Sequence, residues 1–143
     1  MPTSWSRSPN PRKALFALLL LVVATAVLYA VLDNSPWNVP AAAKQMKNPV
    51  PSSDAALKVI RPLYLDKCAV CHGEFGRGDG HDAQRYSPRP TNFTEAGQLS
   101  GVTDGELFYK ISEGHRPMPS FKKRLTEEQR WQLVLLLRSF AKP

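Results

Sequence analysis

The run KCAVCHGEFGRGDG, residues 67–80, places the chain's only two cysteines three positions apart and a histidine directly behind the second. Four chemistries use two thiols at this spacing, and each makes a different demand on the rest of the chain. A disulfide fits a pair lying outside the cytoplasm. A thioredoxin-like redox site has the same spacing but needs strands around a βαβ unit, and no alternating apolar pattern supplies them. Zinc takes four ligands; only His81 and His115 remain to join Cys68 and Cys71, and neither makes a zinc-finger spacing. Covalent haem uses all three residues, because the thiols add to the two vinyl groups while the adjacent imidazole of His72 ligates iron from the same helical turn. Export, helical periodicity and the absence of other cysteines together favour this fourth reading.

Export is read from the opposite end of the chain. ALFALLLLVVATAVLYAVL, residues 14–32, carries no formal charge and is long enough to span a bilayer. Arg7, Arg12 and Lys13 precede it and no acid does, which places the first dozen residues in the cytoplasm and everything after Asp33 outside. A cleaved signal has a shorter apolar stretch followed soon by small residues. Here Ala24-Thr25-Ala26 falls inside the run and Ala41-Ala42-Ala43 comes late, so an uncleaved anchor is expected, with a cleaved signal as the alternative. The expected organisation is a cytoplasmic tail (1–13), a transmembrane anchor (14–32), a Pro-rich linker (33–53) and a haem domain (54–143).

The net charge of +7 divides across that boundary: three of the 19 basic residues and none of the 12 acids precede the run, leaving +4 beyond it. That mild excess, with no basic stripe interleaved with aromatics, excludes nucleic acid as a partner. The linker contains Pro36, Pro40, Pro49 and Pro51 without an apolar period and reads as a partly extended tether; an ordered strap, held by Trp37 and Val50, is the alternative.

Beyond it the periods are helical. Ser53 caps a helix in which Leu57, Ile60 and Tyr64 recur, and Pro62 predicts a kink or a late start. Thr103 opens a second helix, with Glu106 completing a capping box, an apolar side of Leu107, Phe108 and Ile111, and Gly114 as its stop. Thr126 and Gln129 repeat the device for a closing helix that buries Trp131, Val134, Leu135 and Leu137.

A haem iron held on one side leaves its other face to be assigned, and a second strong ligand makes an electron carrier whereas an open face makes a gas binder or peroxidase. The candidates are His81, His115 and Met118, since Met1 and Met46 precede the domain core. His81 is only nine residues past His72 in a glycine-rich turn. Met118 is favoured, stiffened by Pro117 and Pro119 in the loop GHRPMPSF, with His115 as the alternative; a neutral sulfur ligand raises the reduction potential.

CAVCHG, TDGELFYKISEG, RPMPSF and a Trp- and Leu-rich closing helix together resemble the class I monohaem cytochromes c. PAAAKQMKNPVP and GRGDG are similar to the bacterial membrane-anchored members, and the likeness covers roughly residues 40–140. The resemblance implies an all-α cytochrome c fold, a small helical domain around one covalent haem c, here preceded by a single transmembrane helix. It also implies thioethers at Cys68 and Cys71 and axial ligation by His72 and Met118. The family holds its proximal imidazole by a main-chain carbonyl from a proline loop, for which SPRPTNF offers Pro88 or Pro90. One departure stands out: Ile60 occupies the position, eight before the first cysteine, where the family usually has a glycine between its crossing helices.

The glycines behind the motif lack the Lys-Ser/Thr of a phosphate loop, and Asp79 and Asp82 alone are too few for calcium. No catalytic triad or carboxylate pair is evident, and no small-molecule substrate is expected. Lys67, Arg77, Arg116, Lys122, Lys123 and Arg124 flank the two haem-binding loops and suit redox partner proteins with an acidic docking surface. The expected function is electron transfer between respiratory partners on the outer side of a bacterial inner membrane. A permanent subunit of a quinol-oxidising complex, terminal oxidase or dehydrogenase is the nearest rival, ahead of a haem sensor or peroxidase and of a tethered thiol-disulfide enzyme.

Overall fold

The computed structural model describes residues 10–33 and 37–141. Residues 1–9, including Arg7 and most of the expected cytoplasmic tail, lie outside the described residues, as do residues 34–36 of the expected linker and residues 142–143. The chain divides into two compact units, the second beginning at Trp37.

The first unit is helix α1 (Pro11–Asp33). Proline suits the first helical position because its missing N–H would have no intrahelical partner there, and the Asn10 side chain caps the end by accepting from the Arg12 amide at 3.0 Å. The stretch Pro11–Tyr29 has a mean hydropathy of 1.9 and none of it is buried, so length and composition make it a candidate membrane span. The Thr25 hydroxyl donates to the Val22 carbonyl at 2.9 Å, which satisfies within the helix a group that hydrocarbon cannot.

The second unit is helical, with no strand among the described residues. Its elements are α2 (Ala41–Lys44), α3 (Asp54–Lys67), α4 (Ala69–His72), a 3₁₀ turn (Ala83–Arg85), α5 (Asp104–Glu113) and α6 (Glu127–Phe140). α3 and α5 both pack on α6, and α4 lies against α3 and the 3₁₀ turn. The predicted caps form: Ser53, Thr103 and Thr126 each accept from the amide three residues on. Gln129 completes its box by accepting from the Thr126 amide at 2.9 Å. Glu106 does not, because its carboxylate is drawn instead to Lys110, one turn along, at 2.8 Å.

One apolar cluster joins Ile60 and Tyr64 of α3, Leu107, Phe108 and Ile111 of α5, and Trp131, Leu133, Val134, Leu136 and Leu137 of α6. Leu135, expected in that face, is half-buried, while Leu133 and Leu136 are covered. Phe108 and Trp131 stack at 4.0 Å. Ile60 is 1 % exposed, so the helices accommodate a branched side chain where the resemblance leads one to expect glycine. α3 starts at Asp54 and runs through Pro62 without the expected late start; the ring lies on the exposed face, where the carbonyl it leaves unbonded has water available.

The segment expected as a tether is, from Trp37 on, part of the second unit. Val39 and Ala43 are buried, α2 lies on α5, Asn48 Nδ2 donates to the Trp131 carbonyl at 3.0 Å and Val50 packs against the core. The seat for α2 is Gly105: a Cβ there would stand 2.8 Å from the Met46 carbonyl oxygen and still closer to that of Ala43. The prolines therefore shape an ordered strap, because the burial they permit outweighs the freedom of an extended chain.

Candidate functional site

The cysteine motif begins where α3 ends. The Cys68 amide donates to the Tyr64 carbonyl at 2.8 Å, and His72 closes one helical turn back onto the Cys68 carbonyl at 2.9 Å. Residues three and four apart on a helix share a face, so Cys68, Cys71 and His72 are presented together. A one-turn helix leaves its carbonyls without partners. Here the glycine loop supplies them: the amides of Asp82, Gly80 and Gly78 donate to the carbonyls of Val70, Cys71 and His72 at 2.9, 3.2 and 2.8 Å. Only glycine fits at position 80, where a Cβ would lie 2.5 Å from the Ala69 carbonyl oxygen. The buried Tyr64 hydroxyl donates to the Gly73 carbonyl at 2.8 Å, tying α3 to the end of the turn.

Residues 91–93 fix the His72 ring. Phe93 stacks on it at 4.8 Å with 24° between planes, and the Phe93 amide is held by the Gly76 carbonyl at 2.7 Å. The oxygen facing His72 Nδ1 is that of Thr91, at 3.3 Å. Sequence reasoning expects this carbonyl from Pro88 or Pro90, and it comes instead from Thr91: which carbonyl of the loop turns inward depends on backbone torsions that residue types do not encode. A donated Nδ1 proton leaves Nε2 as the free lone pair. Burial pushes the imidazole pKa below its ordinary value, with the Thr91 bond opposing, so the ring is held neutral and able to ligate a metal.

The two thiols are not joined. Burial, and after it the neighbouring Cys71, pushes Cys68 up to about 12; Cys71 is shifted the same way, by burial and then by Asp82. Among the described residues no three His, Cys, Asp or Glu side chains are gathered as a group that could hold a metal ion. Two thiols and one neutral imidazole on a single helical turn fit the donor set of a covalently attached haem.

Across the core, α5 stops at Gly114 and the chain turns sharply. The His115 amide donates to the Met118 carbonyl at 3.0 Å and the Met118 amide to the His115 carbonyl at 2.7 Å, across a cis Arg116–Pro117 peptide. Cys68, Ala69 and the half-buried Met118 all pack against the same apolar cluster. His115 is otherwise engaged: its ring lies 5.2 Å from that of Trp37, and its Nδ1 is 3.2 Å from the Arg116 carbonyl oxygen. His81 is exposed and contacts Asp82 at 2.9 Å. Of the flanking cations, Lys67 pairs with Asp66 and Lys122 with Glu113, both at 2.8 Å. Arg77 lies over Phe75 at 5.6 Å, and Lys123 and Arg124 are exposed.

Two features escaped sequence reasoning. The Thr91 carbonyl left no signal, whereas the buried Arg130, 8 % exposed, stands in an otherwise apolar helical stripe and is legible as a charge on the wrong face.

The family model described as "Cytochrome C oxidase, cbb3-type, subunit III" matches residues 55–137. A chain of the Kuenenia stuttgartiensis reducing HAO-like protein complex superposes with a TM-score of 0.60 at 24 % identity, covering 78 % of this chain. This chain spans only 54 % of that one, and the likeness is one of fold. No curated protein matches the sequence.

Proposed function

Because the chain belongs to the family of cbb3-type cytochrome c oxidase subunit III, and is thus a c-type cytochrome with one covalently bound haem c, we propose that it transfers single electrons between respiratory partners while tethered by α1. The N-terminus is cytoplasmic and the haem domain lies outside, on the positive-charge bias of Arg12 and Lys13. Its part is that of a carrier rather than an enzyme.

Cys68 and Cys71 would hold the haem by thioethers, and His72 Nε2 and the Met118 sulfur would ligate its iron. The bound haem supplies a one-electron ferric/ferrous couple. His72 is kept in one tautomer and one orientation by Thr91 and Phe93, which sets its basicity as a ligand. Met118 offers an uncharged, soft sulfur that favours the reduced form. The exposed cations Arg77, Lys123 and Arg124 steer a partner with an acidic docking surface into a brief encounter.

The observation that carries this reading is the His72 ring with Nδ1 against the Thr91 carbonyl at 3.3 Å, on the turn that bears both thiols. The test is the optical spectrum of the reduced, haem-loaded protein before and after carbon monoxide. A sharp low-spin spectrum that the gas leaves unmoved is expected; an immediate shift would favour a sensor or peroxidase.

A second reading is a permanent subunit of a larger complex. It draws on the family description, which names an oxidase subunit, and on the fold neighbour, which comes from a protein complex. Co-purification in mild detergent separates the two: a carrier leaves its partner when salt is raised, and a subunit stays.

A further inference from the structure

Ser112 and Arg130 are both buried, 3 % and 8 % exposed, and they are bonded to each other: Arg130 Nη1 donates to Ser112 Oγ. Arg130 Nε lies 3.4 Å from the Thr126 carbonyl oxygen, and the guanidinium stands over the Phe108 ring at 4.7 Å. No carboxylate of the described residues pairs with it. A guanidinium buried without an anion is costly, so what it holds is informative. Ser112 is where the chain returning from Met118 is fastened. Its carbonyl accepts from Ser120 Oγ at 2.6 Å and from the Lys122 amide at 3.0 Å, while the Phe121 amide donates to the Ile111 carbonyl at 3.2 Å. One arginine on α6 thus pins the residue to which both ends of the loop are joined.

We propose that Arg130 is a positioning residue for the sixth haem ligand. By holding Ser112 it fixes the loop that presents Met118, and its unneutralised charge inside the domain favours the reduced iron. This inference rests on the reading of Met118 as the distal ligand.

The test uses the full-length, haem-loaded protein in detergent, with Arg130→Met, Arg130→Lys and Ser112→Ala, and with exposed Lys58→Met as a control of equal charge change. Two properties are read: the pH at which the weak absorption band of methionine-bound ferric haem is lost, and the equilibrium reduction potential. Arg130→Met is expected to shift the reduced-to-oxidised ratio tenfold toward oxidised at fixed ambient potential, a fall of about 60 mV for a one-electron couple, and to bring loss of the band down by about one pH unit or more. Arg130→Lys keeps most of the potential while lowering the pH of band loss, because the charge remains and the fork is gone. Ser112→Ala lowers that pH and changes the ratio less than threefold; Lys58→Met moves neither reading. If Arg130→Met matches the wild type in both, the inference is overturned. Should that variant not fold, wild-type band loss in both Arg130→Lys and Ser112→Ala overturns it equally. A wild-type protein without the methionine band would refute the Met118 reading itself, and the inference with it.

Discussion

Replacing Gly105 by alanine sets two physical effects of opposite sign against each other. Gly105 sits in the first turn of α5, and on helix propensity alone alanine there would stabilise by up to about 1 kcal/mol. The added Cβ, however, would stand 2.8 Å from the Met46 carbonyl oxygen and 2.9 Å from Met46 Cβ, and closer still to the Ala43 carbonyl oxygen. Two of these three neighbours are backbone atoms, which cannot rotate away. The strap must lift. Val39 and Ala43, each 8 % exposed, then return to water, a loss of about 3 kcal/mol for one valine and one methyl side chain. The net cost is about 2 kcal/mol, which at the low end of the range for a domain of this size lowers the melting temperature by about 8 °C. Thermal unfolding of the haem-loaded protein, followed by circular dichroism at neutral pH, measures it. Limited proteolysis run alongside should open new cleavage between residues 37 and 53. A melting temperature equal to or above that of the wild type would refute the seating of α2 on α5, since propensity alone would then have decided the sign.

Three further outcomes follow from the same contacts. Tyr64→Phe strands the buried Gly73 carbonyl and is expected to cost about 1–3 kcal/mol in denaturant unfolding. Burial raises the Tyr64 pKa above its ordinary value, so the folded state keeps its proton where the unfolded chain loses one. That stability is fully present below about pH 10 and declines as pH rises above it, and the variant should lose this alkaline slope. Arg138→Ala removes donors to Asp104 Oδ1 at 2.8 Å, to the Leu99 carbonyl at 3.1 Å and to the Val102 carbonyl. A cost of about 2 kcal/mol is expected, mostly from the stranded carbonyls rather than the half-exposed ion pair. Met118→Ala should yield a reduced protein that binds carbon monoxide and a lower potential, while His115→Ala leaves the spectrum unmoved; the reverse pattern would transfer the ligand to His115.

What the sequence made legible was whatever local chemistry determines. Ser53, Thr103 and Thr126 cap because a side-chain oxygen three residues before an unpaired amide has little else to bond, and CAVCH carries its chemistry in spacing alone. Long-range fit was not legible. The strap has no apolar period, because scattered contacts hold it (Val39, Ala43 and Val50, a glycine seat and one asparagine bond), and Ile60 says nothing of how far its partner helix yields. Glu106 promised a capping box, but a lysine one turn away competes for the same carboxylate. Choosing among Pro88, Pro90 and Thr91 required the direction of a carbonyl, which composition does not record.

The glycine loop grips the cysteine turn through main-chain amides alone. Arg77 and His81 project from that loop into solvent, and Glu74 meets the Arg61 guanidinium of α3 at 3.7 Å. Exchange of the Arg77 or His81 charge is therefore expected to leave the ligand frame intact. On the proposed reading as a carrier, rewriting those surface charges changes which redox partner is met while the cysteine turn keeps its frame.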